Sequence, residues 1–320
     1  MTRQSEQRPG MIDIVREGYA VVHRRPWILS IPLILNAIVA FGAQLSLRPL
    51  IEELGAFIEQ VQRAGASQDM AAVREMLAAY SASDWRQSLI VIGTVPIVPL
   101  RTALGGDGSP MELDSVGGAI AAFGAINASL LVGGAMYLVM IVAGVLSASR
   151  PPEGWAQRIA AVAVGQLAAA ALIGVAGVII AIPMLILISL LMMISQPLGV
   201  LLLVVLTLAF FWVGIVLSFT NEVIALAPQQ PLHAIRTSAT IVWRAFWPTI
   251  GFLALTGFII PSGAGIIWEW LAGSPAGQLI AIIGAAYISS GLAAARIIYV
   301  GLHTTPDAVT TALAAVRPSA

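Results

Sequence analysis

Residues 159–221 read IAAVAVGQLAAAALIGVAGVIIAIPMLILISLLMMISQPLGVLLLVVLTLAFFWVGIVLSFTN, 63 positions without a charge between Arg158 and Glu222. A water-soluble helix needs a polar face, and this stretch offers none. As a helix it would run roughly 95 Å at ~1.5 Å per residue, about three times the ~30 Å hydrocarbon core of a bilayer. It must cross, turn and cross back, with Ser195-Gln196-Pro197 as the natural turn. The expected fold is all-α: a polytopic membrane helical bundle.

Composition agrees with that reading. Apolar residues make up 58% of the 320 and charged residues 10%, well below the ~25% charged usual in soluble domains. Formal net charge is zero, so no nucleic-acid partner is expected. All 16 basic residues are arginine, and cysteine is absent, which removes disulfides, thiolate metal sites and thiol nucleophiles. The first apolar run starts at Trp27 after a polar stretch and has no small-residue cleavage site behind it. That span is expected to act as its own uncleaved insertion signal.

Outward from the long stretch, four more segments meet the length of about 20 apolar residues that a crossing needs. The expected division is an inner amphipathic segment (1–26), span 1 (27–47), an outer helical loop (48–114) and span 2 (115–149). A hairpin of spans 3 and 4 follows (150–220), then an inner amphipathic segment (221–246), the hairpin of spans 5 and 6 (247–302) and an inner tail (303–320). With both termini inside, eleven arginines fall on the inner side and five on the outer, as the positive-inside rule requires. Tryptophans favour the interface: Trp27, Trp155, Trp243 and Trp247 map to the inner boundary, Trp268 and Trp270 to the outer. Only Trp212 falls inside a span.

In the outer loop, Leu50, Leu54, Phe57, Ile58 and Val61 recur at helical spacing, and a second helix is expected over Asp69–Tyr80. Asp84 and Gln87 form a capping-box pattern opening a third helix at Trp85. Leu89–Leu100, broken by Pro96 and Pro99, is too short to span and is expected to be interfacial or re-entrant. On the inner side, Val15–Arg24 leads to Trp27 and Ile235–Arg244 leads to Trp247. At a constant offset of 220 their Arg, Val, Arg and Trp positions coincide. Each is expected to lie along the inner leaflet with its arginines near anionic head groups. Arg150-Pro151-Pro152-Glu153-Gly154-Trp155 is a candidate degenerate third copy.

Arg24-Arg25-Pro26-Trp27-Ile28-Leu29-Ser30-Ile31-Pro32, and Ala234-Ile235-Arg236-Thr237-Ser238 followed by Phe246-Trp247, resemble segments of uncharacterised bacterial multi-span membrane proteins. These are loosely similar to the membrane domain attached to some glycerophosphodiester phosphodiesterases. The resemblance implies a helical bundle and no defined activity; the phosphodiesterase catalytic domain has no counterpart here.

Charges inside apolar spans are the candidate sites, because they are costly there. Arg296 interrupts span 6 near its inner end and Glu222 follows span 4 at similar inner depth. They are expected to pair, either as a lock within the bundle or as a gate or proton-linked site. Glu269, between Trp268 and Trp270, is expected to face outer water. Asn36, Asn127, Gln166 and Asn221 are expected to join helices by hydrogen bonds, with lining of a polar pathway as the alternative.

No catalytic residue, cofactor-binding residue or metal ligand is expected. His23, His233 and His303 map to the inner flanks, and no His-Glu-x-x-His or Gly-x-Ser-x-Gly occurs. The expected role is therefore non-catalytic, as a membrane scaffold, assembly factor or accessory subunit, with the bilayer and other membrane subunits as partners. A transporter or lipid-handling protein is the alternative, for which Pro183 offers a point at which a span would break.

Overall fold

The computed structural model describes residues 9–42, 44–63, 71–81, 85, 95, 110–146, 154–271 and 273–305. They are almost entirely helical. Met11–Arg24 forms α1, and a 3₁₀ turn at Pro26–Leu29 leads into α2, Ser30–Phe41. Two short helices follow, α3 (Arg48–Arg63) and α4 (Ala71–Ser81), and then α5 (Val116–Val145). The uncharged stretch folds as α6 (Trp155–Ile194) and α7 (Gln196–Leu217), and α8 is a single short helix, Thr220–Leu226. After α9 (Pro231–Arg244) come α10 (Phe246–Leu253), a π-helical turn at Ala254–Ile259, α11 (Ile260–Leu271) and α12 (Pro275–Thr304). Strands of two residues, β1 (Leu45–Ser46) and β2 (Met111–Glu112), pair in parallel with Leu45 opposite Met111.

Five helical stretches are long and apolar enough to cross a membrane; a sixth arises if α1 and the Pro26–Phe41 helix count as one bent element. Trp27–Leu47, expected as a full span, is helical only through Phe41. The 16 residues of Pro26–Phe41 reach ~24 Å, less than the ~30 Å core. The chain turns by 93° between α1 and this helix, and past it enters β1, where the carbonyls of Ser46 and of the preceding Gln44 accept from Leu113 and Met111 N–H. Pro183 does not break its span, since α6 runs through it from Trp155 to Ile194. Helical regularity is interrupted elsewhere, at Ser218-Phe219 between α7 and α8 and by the π turn, while Gln196–Leu226 and Phe246–Leu271 each stay one membrane-length helical stretch. The expected capping box at Asp84/Gln87, Leu89–Leu100 apart from Val95, and Arg150–Glu153 of the third copy lie outside the described residues.

The described residues fall into two compact units. One takes residues up to Ser30, Gly134–Ile266 and from Ala286 onward. Its core holds Val22, Ile141, Ile297 and Ile298, all fully buried. There Gly18 lies so close to α12 that a Cβ would collide with the backbone of Gly291 and Ala295, while Gly291 leaves room for the Tyr19 ring. Arg25 Nη1 donates to the Ala143 carbonyl at 2.9 Å, and the Tyr137 hydroxyl donates to Ser290 Oγ at 3.0 Å. The other unit takes Ile31–Gly133 and Ile267–Ala285; in it α3 packs on α4, β1 pairs with β2, and the Trp268 ring fills the space that Gly284 leaves.

The offset of 220 extends far beyond the four positions visible in sequence. α1 and α9 are each 14 residues long and begin and end at that offset. The residue that closes each has a similar backbone, Arg25 at φ −136°, ψ 68° and Ala245 at φ −128°, ψ 50°. Ile14, Gly18, Val21 and Val22 are buried in α1; their counterparts Ala234, Ser238, Ile241 and Val242 are buried in α9. Four residues beyond Pro32 and Phe252, another matched pair, Asn36 and Thr256 are both buried and both bond the carbonyl four residues back, Pro32 O at 2.7 Å and Phe252 O at 2.8 Å. An amphipathic 14-residue helix, a closing residue of similar backbone angles and a following apolar helix thus recur at this offset.

Candidate functional site

Three polar side chains from other helices converge on the short helix α8, which itself carries Glu222. Arg296 of α12 donates from Nε to Glu222 Oε1 at 2.5 Å and from Nη2 to the Ser218 carbonyl. Its guanidinium also sits 5.3 Å from the centroid of the Phe219 ring. Glu222 is in the first turn of α8; its side chain is 9% exposed and that of Arg296 22%.

Ser238 of α9 serves the same break. Its Oγ accepts from Phe219 N–H at 3.2 Å and donates to Val216 O at 2.7 Å. At the other end of α8, Arg158 Nη2 of α6 donates to the carbonyls of Ala225 and Leu226, both at 3.2 Å. A helix ending leaves backbone groups without intrahelical partners, and burying them unpaired is costly. Here an arginine at each end and one serine take them up. That is why the chain can break at Ser218-Phe219, where neither Gly nor Pro marks the place.

Aromatic side chains extend the cluster. Phe219 stacks on Tyr299 at 5.5 Å, and Tyr299 on Phe252 at 4.4 Å. The Tyr299 hydroxyl shares a 2.7 Å hydrogen bond with Thr249 Oγ1. Several buried polar atoms in the same region meet no partner: Glu222 Oε2, Ser218 Oγ, both side-chain atoms of Gln166 and Arg158 Nε. Gln166 follows Gly165, which packs on Ile224 of α8.

The tryptophan anchors distribute as follows. Trp27 is the second residue of the 3₁₀ turn and Trp155 opens α6; Trp268 and Trp270 lie in the last turn of α11. Trp243, Trp247 and Phe246 form one aromatic group, with Phe246 6.0 Å from Trp243 and 5.2 Å from Trp247. Trp212, read from sequence as interior to a span, stacks on Phe246 at 5.9 Å and so joins this group. Asn127 Nδ2 donates to the Phe123 carbonyl, four residues back in its own helix, at 2.9 Å.

Sequence reasoning singled out Glu222 and Arg296 but not Arg158, Ser218, Phe219, Ser238 or Tyr299. Ser238 had one available signal, its place opposite Gly18 in the repeat. Arg158 had another, as the last charge before the 63-residue run. Among the described residues no three His, Cys, Asp or Glu side chains gather as a metal would need. Chemically the arrangement can lock helices and offer Glu222 Oε2 as a hydrogen-bond acceptor to a small guest. No protein-family model, curated protein or solved structure matches the chain.

Proposed function

We propose that this chain is a non-catalytic component of a bacterial inner membrane, an assembly factor or accessory subunit that holds partner subunits through its α6–α7 hairpin. The support is a contrast in burial. In the most apolar stretch of α6 only 6% is buried and in that of α7 0%, against 67% in α5 and 56% in α12. The two most apolar helices therefore contribute least to the packed interior. They pack mainly on each other and leave Val178, Ile179, Leu201 and Val204 uncovered. A hairpin of this kind meets lipid or the transmembrane helices of another subunit. With eleven of the sixteen arginines assigned inside, both termini face the cytoplasm in this reading.

The test is site-specific photocrosslinking from Leu201 and Val204 in native membranes, followed by purification in mild detergent. The proposal expects a discrete polypeptide adduct and a stoichiometric co-purifying subunit. Lipid adducts alone, on a protein that purifies by itself, would overturn it. A transporter or lipid-handling role is the second reading, favoured by the unpartnered Glu222 Oε2 and Gln166 beside a helix break. Retention of a solute by the solitary protein, lost in Glu222→Gln, would establish it in place of the first.

A further inference from the structure

The two copies of the repeated unit differ in charge: α1 carries an exposed carboxylate, Asp13, and a buried one, Glu17, that α9 lacks. In α1, Arg16 pairs with Asp13 at 3.4 Å and Arg24 with Glu17 at 3.3 Å. In α9 the matching acidic positions are His233 and Thr237, and the helix contains no carboxylate. Arg236 and Arg244 are exposed, and among the described residues neither forms an ion pair. Two turns of helix, ~12 Å, separate them.

Their depth is fixed by what surrounds them. Arg244 stands two residues before Phe246, where the membrane-crossing candidate Phe246–Leu271 begins. Trp243 and Trp247, 67% and 78% exposed, flank it, and exposed Leu232 opens the helix. Exposed tryptophans and an apolar anchor on a basic helix suit the head-group layer. They do not suit a soluble acidic partner, which would have to bury the same rings against protein.

We propose that α9 is an anionic-phospholipid binding face, in which Arg236 and Arg244 hold lipid phosphates of the inner leaflet while α1, neutralised by its own carboxylates, does not. The geometry is shared and the ligand preference belongs to the second copy alone.

The test uses the full chain reconstituted in phosphatidylcholine bilayers with spin-labelled phosphatidylglycerol or phosphatidylcholine, reading the protein-restricted lipid fraction. The wild type should prefer phosphatidylglycerol. Arg236→Gln and Arg244→Gln should each lower that preference about five-fold, equivalent to ~1 kcal/mol per arginine, while Arg16→Gln/Arg24→Gln, which strands Asp13 and Glu17, lowers it by much less. The reverse arm removes the carboxylates: Asp13→Asn/Glu17→Gln should add phosphatidylglycerol preference by freeing Arg16 and Arg24. That arm keeps the test open if an α9 variant fails to fold.

Absence of preference in the wild type, or equal losses from both arginine pairs, would overturn the proposal. So would displacement by inorganic phosphate at constant ionic strength, which would mark a soluble anion as the ligand. Retention on polyglutamate without lipid preference would assign the face to an acidic polypeptide and overturn it as well.

Discussion

The α1–α2 unit and the α9–α10 unit share the length of their first helix, the backbone angles that close it and their buried positions, yet each is held to its surroundings differently. At the matched buried site the first copy has Gly18, pressed against the backbone of α12, and the second has Ser238, bonded to Phe219 N–H and Val216 O. One copy is seated by close approach and the other by hydrogen bonds to a helix break. The comparison shows that backbone geometry can be preserved while the means of packing and the surface charge both change. It also locates the polar cluster: the break at Ser218-Phe219 lies under the second copy, where Ser238 can serve it.

The strongest way to break the comparison is to remove the cation that secures the second copy's surroundings. Arg296→Ala leaves Glu222 buried and unpaired, which costs on the order of 3–5 kcal/mol. Thermal unfolding in detergent should show the loss, and Glu222→Gln in the same chain should recover part of it. Additive losses would mean that the two residues act independently.

Exchanging the matched residues sharpens the contrast. Gly18→Ser forces a Cβ into the Gly291 and Ala295 backbone, where neither atom belongs to a flexible side chain, so about 3 kcal/mol is expected, the upper end of overpacking costs. The reciprocal Ser238→Gly leaves the Phe219 N–H and Val216 O of the break unsatisfied, for about 1–3 kcal/mol. A Gly18→Ser protein as stable as the wild type would contradict the close-approach account of the first copy. The smallest effect concerns the second matched pair of polar residues. Thr256→Ala removes one bond within its own helix and should cost under about 1 kcal/mol, readable as a small fall in melting temperature.

Much of the fold was legible because it follows from where charge is missing. A 63-residue uncharged run leaves only one kind of structure, and the α6–α7 hairpin turns at Ser195-Gln196. Glu222 and Arg296 stood out for the same reason, as charges at the margin of apolar runs. Their surroundings did not. A break at Ser218-Phe219 made of ordinary residues is stabilised by side chains from α9 and α12, and no local pattern announces contacts over such separations. Pro183 shows the opposite failure: a strong local signal for a break that the helix absorbs. The repeat was legible at four positions, while the burial pattern that makes it persuasive needed the fold.

The most direct test asks which side of the membrane each copy faces. If the unit is repeated in parallel, Ile12 of α1 and Leu232 of α9, both exposed, lie on one face, and Gln196 at the hairpin turn lies on the other. The chain contains no cysteine, so single substitutions Ile12→Cys, Leu232→Cys and Gln196→Cys report without background. With an impermeant maleimide, labelling at 12 and 232 only in inverted vesicles and at 196 only in right-side-out vesicles is the predicted result. Labelling of positions 12 and 232 from opposite sides would contradict the account.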